Sequence, residues 1–81
     1  MLHQRHKAAA QAEYVAPLEA ALEDLGKLVF GRTFGVQVGP ELQIVSRTLE
    51  GITVPFDALS AGTQEQLALL GRLAVARLAD P

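Results

Sequence analysis

Cysteine is absent from the 81 residues, so neither a disulfide frame nor a thiolate metal site can hold this chain together. Aromatic residues make up only 5%, and any core must be built from Leu, Val and Ala. An excess of basic charge is lacking as well. Seven Lys and Arg against nine Asp and Glu leave a formal net charge of −2, which provides no overall basic field to draw nucleic acid. No apolar run approaches the roughly 18 residues needed to span a bilayer. Residues 1–7 are basic but lack the apolar stretch that follows in a signal peptide, so they read as neither signal nor anchor. A cytoplasmic protein that does not touch a membrane is expected.

What is present is a hydrophobic share of 49% in a chain long enough for one small domain. So small a body has much surface for its volume, and an apolar share this high calls for a covering partner or self-association. A homo-oligomer is the expectation for the chain on its own.

Residues 4–30 read as helical. Ala8, Ala9, Ala10 and Ala12 have the highest helix propensity. Leu18, Leu22, Leu25 and Val29 then form an apolar stripe at helical spacing, widened by Ala21 and Leu28. Glu13, Glu19 and Glu23 fall mostly off that stripe and read as a solvated face. Pro17 removes one N–H and crowds the carbonyl four residues back. Either the helix kinks there, or the firm helix begins near residue 17. Gly31 suits the position just past the helix end. His3 and His6 share a helical face, but no further ligand is near and two solvated imidazoles are expected.

From Gly35 the period changes to that of strands. Val36 and Val38 alternate with Gln37, and Gly39-Pro40-Glu41 punctuates. Leu42 and Ile44 continue, Thr48-Leu49-Glu50-Gly51 is a turn, and Ile52-Thr53-Val54 is closed by Pro55. Connections this short join antiparallel neighbours. Val38 and Val45 blur the division of the sheet into two faces and leave the register open. A second helix is expected over 64–79, with Leu67, Leu70, Ala74 and Leu78 on one stripe. Leu69 and Leu73 lie outside that stripe, so the helix wants neighbours on more than one side. Gly71 on the apolar face suggests the close approach of another element. The fold class is α+β: a helical segment in 1–30, antiparallel strands in 35–55, and a loop leading into a helix in 56–81.

That last loop carries the most specific pattern. Thr63 and Gln66 stand in capping-box spacing. Asp57 can bond nearby backbone amides. Ser60 and Gly62 put a hydroxyl and a backbone without Cβ where free N–H groups and the helix dipole favour an anion. On local grounds these residues describe either a phosphate seat or a well-capped helix.

Leu59-Ser60-Ala61-Gly62-Thr63-Gln64-Glu65-Gln66-Leu67, followed by Arg72-Leu73-Ala74, resembles the signature motif of ABC-class ATPase heads. It is most similar to that of bacterial coiled-coil ATPases related to the structural-maintenance-of-chromosomes and double-strand-break-repair proteins. Ala61 and Thr63 replace a Gly and a Gln of the general Leu-Ser-Gly-Gly-Gln form, so contacts of that Gln do not carry over. The resemblance implies a slice of an ATPase head, with the first helix as the root of a coiled-coil arm. In an intact head dimer, the Ser60 hydroxyl and the Gly62 amide would contact the ATP γ-phosphate held with magnesium by the opposite head. Ala61, Thr63 and Gln64 complete that nucleotide-facing set. A second head is then the partner, and DNA is reached only through the parent protein.

The hydrolytic halves of such a head are missing from this sequence. Gly26-Lys27 is the only Gly-Lys pair, and it lacks the preceding Gly and following Ser or Thr of a phosphate loop. An apolar strand ending in paired acids is also lacking. The isolated chain is expected to be neither an ATPase nor a metal protein. No Gly-x-Ser-x-Gly nucleophile elbow is present either. Arg5, Lys7, Arg32 and Arg47 have no aromatic interleaving for single-strand binding. The alternative is a stand-alone homo-oligomeric interaction protein in which the loop only caps a helix.

Overall fold

A 29-residue helix, α1 (Leu2–Phe30), opens the chain. The computed structural model describes residues 2–79, with side chains from residue 12 onward, so His3 and His6 lie outside the described side chains. The helix runs through Pro17 without ending there. Pro17 and Glu13 are both exposed, so water can serve the carbonyl that Pro17 leaves unpaired. Gly31 ends the helix at φ +108°, and its N–H donates to the Lys27 carbonyl at 3.1 Å. A side chain at that φ would be strained.

Three strands follow: β1 (Gly35–Val38), β2 (Ile44–Leu49) and β3 (Ile52–Pro55). They form one antiparallel sheet in the order β1-β2-β3. The blurred alternation seen in the sequence has a physical cause. Gln37 faces Ser46 while Val38 faces Ile44, so Val45 is an extra residue at a β-bulge. Leu42 is not in the strand. It sits at φ +64° in the loop, and its N–H donates to the Gly39 carbonyl at 2.9 Å. Thr48 and Leu49 belong to β2 rather than to the turn, which shrinks to Glu50 and Gly51 at φ +53° and +80°. Two successive positive φ values are those of the tight hairpin turn that matches strand twist. The Glu50 N–H also donates to Thr33 Oγ1 at 3.1 Å, tying the hairpin tip to the loop after α1.

A short 3₁₀ turn (Phe56–Ala58) leads into α2 (Ala61–Ala79). The fold is therefore α+β: helix, three-stranded antiparallel sheet, helix. Its core joins Leu18, Ala21 and Leu22 of α1, Phe34, Val36 and Val38 at β1, and Leu67, Leu70 and Ala74 of α2. Leu22 and Leu67 are fully buried. Burying one such leucine stabilises by about 1.5–3 kcal/mol. Leu28 and Val29, in contrast, are 84% and 58% exposed, so the α1 stripe stops contributing before the helix does.

The expectation of a close contact at Gly71 is reversed. A Cβ at Gly71 would meet nothing within 4 Å. It is Gly26 that carries a neighbour against its backbone: a methyl there would overlap the Phe34 ring. Phe34 also stacks on Phe30 with centroids 5.2 Å apart. That ring is the wedge by which β1 lies close to α1.

Candidate functional site

The start of α2 is built one turn earlier than the Thr63–Gln66 spacing predicts. Ser60, not Thr63, is the N-cap. Its carbonyl accepts the first helical bond from the Gln64 N–H at 2.9 Å. Its Oγ accepts from the Thr63 N–H at 3.2 Å and donates to Thr63 Oγ1 at 2.9 Å. Gln66 is exposed and takes no part in a cap. The reason is that Ser is the better cap and already stands three residues before an N–H it can reach. Beginning at Ser60 adds a turn to the helix, which the Thr63 start would forgo.

Gln64 faces into the loop. Gln64 Nε2 donates to the Phe56 carbonyl at 2.9 Å and to the Leu59 carbonyl at 3.3 Å. Its side chain therefore holds the loop in shape, and only its Oε1 remains for an outside group. Asp57 is exposed. The Leu59 N–H of this loop donates to the Phe56 carbonyl at 3.1 Å.

What this leaves open is well defined. The first N–H groups of a helix have no carbonyl one turn back. Ser60 satisfies that of Thr63, while those of Ala61 and Gly62 remain. Ser60, Ala61 and Gly62 are all exposed, and nothing lies within 4 Å of a Cβ built on Gly62. The macrodipole adds roughly half a positive charge at this end. Both open amides thus sit at the positive pole of a 19-residue helix. The arrangement can accept an anion, and the Ser60 hydroxyl can turn toward one if Thr63 Oγ1 donates back to it. Of the five residues predicted to face a nucleotide, Ser60, Ala61 and Gly62 line this end. Thr63 and Gln64 support it from within the loop.

Sequence reasoning missed a second polar cluster. Glu19 and Glu23 are half-buried, not solvated. The Val38 N–H donates to Glu19 Oε2 at 2.8 Å, and the Val36 N–H donates to Glu23 Oε2 at 3.3 Å. Their spacing of four was the available signal, but only the position of β1 gives it meaning. Among the described residues no cluster of His, Asp and Glu could hold a metal ion, and no helix is long and apolar enough to cross a membrane. An open apolar groove runs between Tyr14 and Leu18 of α1, Leu42, and Val75 and Leu78 of α2.

No family model matches the chain, and no solved structure matches it. It is similar to uncharacterized proteins of Mycobacterium bovis and of two strains of Mycobacterium tuberculosis. Each is 49% identical over 74 residues, which is 91% of this chain but 8% of the relative. The chain thus spans less than a tenth of the length of the curated relatives it matches.

Proposed function

We propose that this chain is the signature-motif part of a coiled-coil ABC-class ATPase head. It would belong to a longer cytoplasmic protein of DNA repair or chromosome maintenance. The observation that carries the reading is the start of α2. The Leu59–Leu67 motif there leaves the Ala61 and Gly62 amides open beside the Ser60 hydroxyl. Relatives many times longer than the matched segment add support, as a slice of a large ATPase would be expected to match in this way.

In this reading the donors of one head meet the γ-phosphate of an ATP–magnesium bound by a second head. Fixed N–H groups at a helix start need no reorganisation to stabilise such a charge. Ser60 adds a hydroxyl, and Gln64 keeps the loop from collapsing onto the amides. Hydrolysis would be carried by parts of the head outside this sequence. Ser60→Arg, introduced into the full-length protein, fills the site with a long cation. It is expected to abolish ATP-driven head dimerisation measured by light scattering or sedimentation. Dimerisation that persists at wild-type ATP concentrations would overturn the assignment.

A second reading rests on a different observation. Leu69, Leu73 and Val75 of α2 are 55%, 50% and 54% exposed, which suits a homo-oligomeric interaction module without nucleotide chemistry. Light scattering of the chain decides whether it self-associates. A clean monomer at high concentration would remove this alternative.

A further inference from the structure

We infer that Glu19 and Glu23 act together as a substitute for a missing neighbour strand, locking α1 to the sheet in a single axial register. β1 lies at one edge of the sheet, and an edge strand presents a row of unpaired amides. The outward amides of a strand recur every second residue, roughly 6.6 Å apart. Side chains four apart on a helix are separated by about 6.0 Å along its axis. The two repeats nearly match, so two glutamates one turn apart can serve two alternate amides at once. They do so in antiparallel sense: the earlier glutamate, Glu19, takes the later amide, Val38, and Glu23 takes Val36. The missing Cβ at Gly26 seats Phe34 on the helix and brings β1 within reach of both carboxylates.

The register is unique because of what lies one turn further along α1. Sliding the helix one turn, about 5.4 Å, in one direction would put Glu23 at Val38 and Lys27 at Val36. An ammonium has only donors to offer an N–H. Sliding it the other way would put Glu19 at Val36 and Val15 at Val38, and valine offers no acceptor. Either slip strands an amide that is now bonded. The carboxylates also bar a partner strand, because they repel its carbonyls as well as occupy the amides. α1 and the sheet therefore move as one body, and a displacement of α1 along its axis is delivered to β1. The lock does not depend on the nucleotide reading.

The test is nuclear magnetic resonance on the 81-residue chain. In the wild type, a through-hydrogen-bond scalar coupling is expected between the Val38 amide nitrogen and the Glu19 side-chain carboxyl carbon. In the double variant Glu19→Ala, Glu23→Ala, amide hydrogen exchange at Val36 and Val38 is expected to accelerate at least tenfold relative to Leu70 in α2. Glutamine at both positions, which keeps an acceptor, is expected to restore much of the protection. Absence of the coupling, or unchanged exchange in a folded double variant, would overturn the lock. If the alanine variant fails to fold, the wild-type coupling decides.

Discussion

Among the backbone amides that secondary structure leaves over, two sets are treated in opposite ways. At the edge of β1 the amides of Val36 and Val38 are filled from within by Glu23 and Glu19. At the start of α2 one amide, that of Thr63, is filled by Ser60, while those of Ala61 and Gly62 remain at an exposed surface. The same physical group is closed off in one place and held open in the other. An unfilled strand edge invites another strand. An unfilled helix start, carrying partial positive charge, invites an anion. The difference teaches where to look for function: at the leftover amides the fold declines to fill although polar side chains stand beside them. Gln64 is adjacent, yet it bonds the Phe56 and Leu59 carbonyls instead.

The largest expected effect comes from removing the support both regions share. Leu22 is fully buried in the core that joins α1, β1 and α2. Leu22→Ala is expected to cost about 2–5 kcal/mol through lost burial and the cavity left behind. Chemical denaturation measures this, and protection at Val36 and Val38 should fall with it. A cost under about 1 kcal/mol would mean that the core does not hold the two regions in place.

Ser60→Ala acts on the helix start alone. Losing an N-cap of this kind costs about 1 kcal/mol, again measured by denaturant midpoint, and exchange at Val36 and Val38 relative to that at Leu70 should stay as in the wild type. Loss of protection at β1 in this variant would break the contrast, since it would show the two regions to be coupled.

The smallest change in stability is the sharpest probe. Gly62→Ala adds a methyl where nothing lies within 4 Å, and alanine is favoured over glycine within a helix by up to about 1 kcal/mol. The variant should therefore be as stable as the wild type or slightly more so. In the longer ATPase proposed above, weakened ATP-driven association at unchanged stability would assign this glycine to the approach of a ligand. Marked destabilisation would assign it to the fold.

Much of the architecture was legible from residue order. The stripe of Leu18, Ala21 and Leu22, the alternation of Val36 and Val38, the Gly31 stop and the Leu67, Leu70 and Ala74 stripe all lie where periodicity places them. Three misplacements share a cause. The bulge at Val45, the loop position of Leu42 and the contact at Gly26 depend on what lies across from each residue. Periodicity along one chain does not report that. The cap moved from Thr63 to Ser60 for a local reason: two hydroxyl residues compete within four positions, and spacing alone does not rank them.

By itself, then, the order of residues determined two helices around three short strands, a turn within residues 48–51 and a polar motif at a helix start. Short-range sterics and the burial of apolar side chains decide those features within a few neighbouring residues. Only the folded arrangement decided that Glu19 and Glu23 serve a strand edge while Ala61 and Gly62 keep theirs free. The partners in the first case are 13 and 19 positions apart along the chain, and such distant groups meet only once the core has brought helix and strand together.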